Sequence, residues 1–322
     1  MLLFILKRLA QSVFVMLFVA LIAFALFRYV GDPINNMVGQ DTTLAQREEL
    51  RQELGLNDPV VVQFARFIGH AVRGDFGQSY RLRKPVSALI AERFPATFEL
   101  SMVSALMALA IGIPMGVYTA LNRRGVVSRG FMTLSLIGIS LPTFLIGILL
   151  ILVFGVMLRW LPTFGRGDVV HFGWWSTSFL TESGLKSLIM PAITLAVFQM
   201  TLIVRLVRAE MLEVLRTDYV KFARARGLKR RTINFSIALK NTLVPVMTII
   251  GLQIGSIIAF AIITESVFQW PGMGLLFVQA ISEVDIPVMA AHLLLIAFIF
   301  VMINLVVDIL YFVVDPRLRV QN

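Results

Sequence analysis

Apolar residues fall into six long runs, at 9–30, 96–121, 130–157, 188–207, 243–264 and 287–312, separated by polar stretches of unequal length. Each run is long enough to carry a helix across roughly 30 Å of hydrocarbon, which takes about 20 residues. The pattern therefore predicts six membrane spans. The first run exceeds the 7–15 apolar residues of a signal h-region, which predicts an uncleaved span. Pro114, between Gly112 and Gly116, allows a kink and a close helix contact in the second span, and Pro142 sits near the middle of the third. Gln253 is a polar group in mid-span in the fifth, where it needs a partner or water.

The polar stretches differ in kind. Residues 31–95 form an outer segment with turn signals at Gly31-Asp32-Pro33, Asn57-Asp58-Pro59 and Gly74-Asp75-Phe76-Gly77. One helix is expected over 44–54, capped by Thr42 or Thr43 and ended by Gly55, and a second over 59–72. The segment reads equally as a packed cap and as a docking surface for an external solute-binding protein. Residues 159–187 carry Trp160, Trp174 and Trp175, suited to an interfacial belt. Residues 265–286 read as an outer connection, with a Pro-Gly turn at Pro271-Gly272.

Composition narrows the class. At 58% apolar residues and a mean hydropathy of +0.84, the 322-residue chain is a polytopic membrane protein and not a pair of soluble domains. Its net charge of +10 sits at Lys7-Arg8, Arg123-Arg124, Arg129, the 205–245 island and Arg317/Arg319. All fall on one side of a six-span topology, so inside-positive placement explains them without nucleic acid, and both termini are expected in the cytoplasm. There is no cysteine, and His70, His171 and His292 are too scattered for a metal site. Without a G-x-x-x-x-G-K-[ST] loop the chain cannot cradle nucleotide phosphates in the usual way. Arg28, Glu99, Glu265 and His292 fall near outer span ends, and Arg205 and Asp308 near inner ones. No carboxylate occupies a span centre, which leaves an ion-coupled carrier without a proton relay.

The island at 205–245 holds ten Lys or Arg against Glu210, Glu213 and Asp218. Met211, Leu212, Leu215, Tyr219, Phe222, Ala223 and Ala225 recur at helical spacing, and Gly227 ends the run. Two short helices around Gly227, lying along the inner membrane surface, are expected. On charge alone the island reads first as a basic amphipathic loop that only anchors topology.

The order Tyr219, Ala223-Arg224-Ala225-Arg226-Gly227, Asn241 and Pro245 resembles the EAA loop of ATP-binding-cassette (ABC) importer permeases, above all the dipeptide/oligopeptide/nickel branch. Lys221 stands where many members carry Glu, and the Gly227–Pro245 interval is long; that branch shares both departures. Glu265-Ser266-Val267-Phe268-Gln269-Trp270-Pro271-Gly272-Met273-Gly274, Leu54-Gly55-Leu56, the Gly31 and Gly74 turns, Asn304, Asp308 and Pro316-Arg317 extend the resemblance over nearly the whole chain. It implies an all-α polytopic membrane protein with six transmembrane helices in the type I ABC importer permease fold. Its parts are a first span in 1–30, a periplasmic helical segment at 31–95, and a core permease at 96–322 with a coupling loop at 209–243. The function implied is that of a non-catalytic permease subunit in a bacterial inner membrane, importing di- or oligopeptides, with nickel or glutathione as alternatives. Its implied partners are a second homologous permease in a heterodimer, two ATP-binding subunits that hold ATP and Mg, and a periplasmic solute-binding protein. In the coupling loop, Ala223, Ala225, Gly227 and Leu228 would allow close approach to the ATPase, beside Tyr219. Arg224 and Arg226 would pair with its acidic groups. Gln253, Pro114 and Pro142 are candidates for pathway or gating roles.

Overall fold

A computed structural model describes residues 2–29, 46–48, 52 and 57–314. The Gly31 turn, the Thr42/Thr43 cap, most of the 44–54 helix, Leu54-Gly55-Leu56 and the Pro316-Arg317 tail lie outside the described residues; residues 46–48 and 52 are helical.

The first span is α1 (Leu2–Tyr29). Beyond Pro59 comes α2 (Val60–Val72), as the sequence implies. Phe64 and Phe67 of α2 pack on Phe24 of α1 at ring separations of 5.4 and 5.9 Å, so this part of the outer segment caps the membrane helices. The second span, α3 (Val86–Leu121), starts ten residues earlier than its apolar run suggests and carries Pro95 and Pro114 internally.

The third apolar run is not one helix. α4 (Val126–Ser140) stops, and α5 (Thr143–Leu150), prolonged as a π-helix over Ile151–Met157, leaves at 108° to it. Pro142 accounts for the break: it lacks an N–H and pushes the residue before it out of the helical region. Leu141 is extended at φ −89°, ψ 132°. Among the described residues five helices are long and apolar enough to cross a membrane, and six if the bent pair counts as one span.

A small antiparallel hairpin, β1 (Val170–Phe172) and β2 (Trp175–Thr177), precedes α6 (Glu182–Val214). α7 (Asp218–Ala225) follows, and a π-helical turn at Thr232–Ala238 feeds directly into α8 (Leu239–Phe268). The stretch expected as an outer connection from residue 265 instead starts inside α8 and contains a further helix, α9 (Met273–Ser282), before α10 (Ile286–Val314).

α3 and α6 form the centre of the molecule. Their contact depends on Gly112 and Gly116, which lie against Ile203 and Val207; a Cβ on Gly116 would stand 2.7 Å from that of Val207. Pro114, between these two glycines, is exposed and turned away from the seam, where the small residues give the close approach. α1 lies on α10, tied by Arg8 to Asp308 at 3.1 Å.

Candidate functional site at the basic end

Two ends of the molecule are distinguished by their side chains. One carries Arg123, Arg124, Arg129 and the α6–α8 connection and is here termed the basic end; the other carries the β hairpin.

At the basic end α6 runs to Val214, and Thr217 turns the chain into α7, with its Oγ1 donating to the Val214 carbonyl at 2.6 Å. Asp218 in the first turn suits the positive end of the helix. Hydrogen bonding from Lys221 Nζ, at 2.8 Å, holds the Asp218 carboxyl below the ordinary carboxylate range. The helix stops in a Schellman arrangement: the Gly227 N–H donates to Arg224 O at 3.0 Å and the Leu228 N–H to Ala223 O at 3.3 Å. Gly227 takes φ +76°, a left-handed value that suits glycine. The expected helix on the near side of Gly227 is therefore present. The one expected beyond it is the π-helical entry to α8, not a separate surface helix.

α7 has two distinct faces. Val220 and Ala223 point inward, into one apolar cluster with Val117 and Ala120 of α3, Val207 and Met211 of α6, and Ile233 and Ala238. Tyr219 (45% exposed) and Phe222 (64%) point outward, with the Arg226 guanidinium 5.7 Å from the Phe222 ring centroid. Spaced at i, i+3 and i+7, these three residues form one stripe. Arg224, Ala225, Gly227 and Leu228 are also exposed. Of the residues singled out from sequence, Ala223 alone is turned into the chain's own core. Phe222 is the more exposed of the helix's two aromatic side chains, and helical spacing marked it without showing which way it faced.

The other candidates lie elsewhere. Gln253 of α8 shares Ser256 with Gln199 of α6: the Ser256 Oγ stands 3.1 Å from Gln253 Oε1, and Gln199 Nε2 donates to it at 3.2 Å. This is a helix–helix link. Pro114 is on the exposed side of α3 and Pro142 at the α4–α5 bend, so the three do not converge on one site.

At the hairpin end two carboxylates are fully buried. Arg166 donates to Glu99 Oε2 at 2.7 Å, and the Ser178 hydroxyl donates to the same oxygen at 2.7 Å. Glu265 accepts from Thr97 Oγ1 at 2.6 Å and from the Leu275 N–H at 3.0 Å. Gly272 lies so close to that carboxylate that a Cβ there would collide with it, which explains glycine at this position. Trp270 is buried, donating to Ala96 O at 3.0 Å, and Trp175 packs on Phe98 at 5.6 Å; Trp160 and Trp174 are exposed. These connections fasten α3 to the hairpin and to the α8–α9 turn.

Residues 112–320 match the family described as binding-protein-dependent transport system inner membrane component, and residues 1–101 match its N-terminal counterpart. The chain is 40% identical to a di/tripeptide transport system permease protein of Pseudomonas aeruginosa, with both chains covered in full. It is 38% identical to an oligopeptide transport system permease protein of Bacillus subtilis (98% of this chain, 99% of that one) and 37% identical to a glutathione transport system permease protein of Salmonella paratyphi A (99% of each). In fold it is similar to a chain of the MetNI methionine ABC transporter in an inward-facing conformation. The TM-score is 0.57 at 19% identity, over 71% of this chain and 97% of that one.

Proposed function

The chain belongs to the family of binding-protein-dependent transport system inner membrane components, and on that premise we propose that it is one permease half of an ATP-driven importer of di- or oligopeptides. A second, homologous permease completes the pathway. Two ATP-binding subunits, which hold ATP and Mg, dock at the basic end, which faces the cytoplasm. A periplasmic solute-binding protein delivers the substrate at the hairpin end. The observation that carries this reading is the exposed Tyr219–Phe222–Arg226 stripe on a helix whose opposite face is built into the core.

Aromatic and Arg side chains are the residue types that dominate binding energy at interfaces. A partner gripping that stripe moves α7, and the shared cluster carries the motion to α3, α6 and the start of α8. Packed elements respond to such a displacement as rigid bodies. ATP-driven closure of the partners would thus alternate access to the pathway. Peptide as substrate rests on the di/tripeptide and oligopeptide permeases among its relatives. The glutathione permease relative supports glutathione, itself a small peptide, as the second reading.

Reconstitution of the permease pair with its ATP-binding subunits and binding protein tests this. Peptide accumulation is expected only with ATP. Phe222→Ala is expected to lower both uptake and peptide-stimulated ATP hydrolysis at least tenfold, as loss of a hot spot worth roughly 2 kcal/mol does, with membrane insertion unchanged. Full uptake by the Phe222→Ala complex, or gradient-driven uptake by this chain without ATP, would overturn the assignment.

A further inference from the structure

An apolar cleft of about 450 Å³ lies between α3, α4, α5 and α6. Met115, Phe131, Ile137, Leu149, Val197 and Met200 typify its walls, and Ser135 and Thr201 are its sole polar side chains. Past the 108° bend at Pro142, Ile146, Leu149 and Leu150 of α5 continue its lining. Its mouth is open, since Leu134, Ile137 and Leu149 on the rim are exposed.

The near end of the same cleft is cationic. The α3–α4 turn presents Arg123, Arg124 and Arg129, all exposed, with no acidic residue between Asn122 and Phe131. The Arg129 side chain donates to the Arg124 carbonyl at 3.4 Å, and none of the three arginines is in an ion pair among the described residues. Val126 is 83% exposed and begins an outward apolar stripe that continues through Val127 to Leu134 and Ile137. Tyr118 of α3 meets Phe131 edge-on at 6.3 Å where the cationic turn gives way to the cavity, a place that suits an amphipathic ring.

We propose that this cleft binds one anionic phospholipid, with its headgroup on Arg124 and Arg129 and an acyl chain in the cavity. Depth supports the match. From Arg129 to the bend at Leu141 the helix rises roughly 18 Å at 1.5 Å per residue, close to one leaflet's share of a core roughly 30 Å thick. The bend argues against a partner helix, which is about 10 Å wide and straight, whereas a flexible chain follows a bent cleft. The cluster of unpaired arginines at headgroup level selects negative charge.

Native mass spectrometry of the complex purified from membranes tests the proposal, with phosphatidylglycerol and phosphatidylcholine of identical acyl chains as probes and soluble glycerol phosphate as the headgroup alone. Phosphatidylglycerol is expected to be retained at least tenfold better than phosphatidylcholine, and glycerol phosphate not at all. Arg124→Ala with Arg129→Ala is expected to abolish the preference while phosphatidylcholine retention stays as it was. Ile137→Trp and, on the facing wall, Leu149→Trp are each expected to cut retention of both lipids. Equal retention of the two lipids by the unaltered complex overturns the proposal. So does retention unaffected by both tryptophans, or a cross-link from Leu134→Cys showing the second permease seated over the mouth.

Discussion

Gly227 has open space around the position of a Cβ, so its requirement is conformational and not steric. At φ +76° an L-residue costs about 1–2 kcal/mol, and Asn tolerates the region better than Ala. Gly227→Val is therefore expected to uncouple ATP hydrolysis from uptake while the chain still inserts, with Gly227→Asn close to unaltered protein. Peptide-stimulated ATP turnover is the readout, and equal coupling in both variants would show that the left-handed stop does not matter. A second residue-scale expectation concerns the Glu99–Arg166 pair, nearly inaccessible to solvent on both sides. Removing one member of a buried pair strands the other charge, at a cost of about 3–5 kcal/mol. Arg166→Ala should lower the thermal midpoint well below that of Arg81→Ala, which breaks the half-exposed pair with Glu283. Similar midpoints would contradict a structural role for the buried pair.

At the scale of elements, the proposed coupling would pass from α7 through the seam between α3 and α6. Gly116→Ala places a methyl 2.7 Å from the Val207 Cβ, an overpacking that typically costs about 1–3 kcal/mol. Adding Val207→Ala should recover most of that loss, and a double-mutant cycle on thermal stability would measure it; additive losses would mean that the two residues do not meet. The apolar runs made these helices readable in advance, because a span must satisfy its own backbone and cover itself with apolar side chains. They did not reveal the bend at Pro142, since a proline within a long apolar run is compatible with a kink or a full break. Glu99 and Glu265 read as span-end residues because the partners that bury them, Arg166 and Thr97, are 67 and 168 positions away along the chain. In α7 the helical period showed that two faces exist, but which one the core covers depends on Val117, Ile233 and other distant residues. That is why Ala223 was expected on the contact surface and lies inside.

For the whole molecule, the account is that of a lever. The hairpin end is fastened by buried polar contacts and the basic end by one shared apolar cluster, with α3 and α6 running between them. What grips α7 decides whether the lever has a driver. The chain has no cysteine, so a single introduced thiol reports from one place. The most direct measurement is cross-linking of Phe222→Cys in the assembled complex, with Trp174→Cys at the exposed tip of the hairpin as its counterpart. A covalent adduct joining position 222 to an ATP-binding subunit, changing in yield with ATP and absent from position 174, is the result expected. No adduct at position 222, or its modification by a membrane-impermeant thiol reagent applied outside intact cells, would contradict the account.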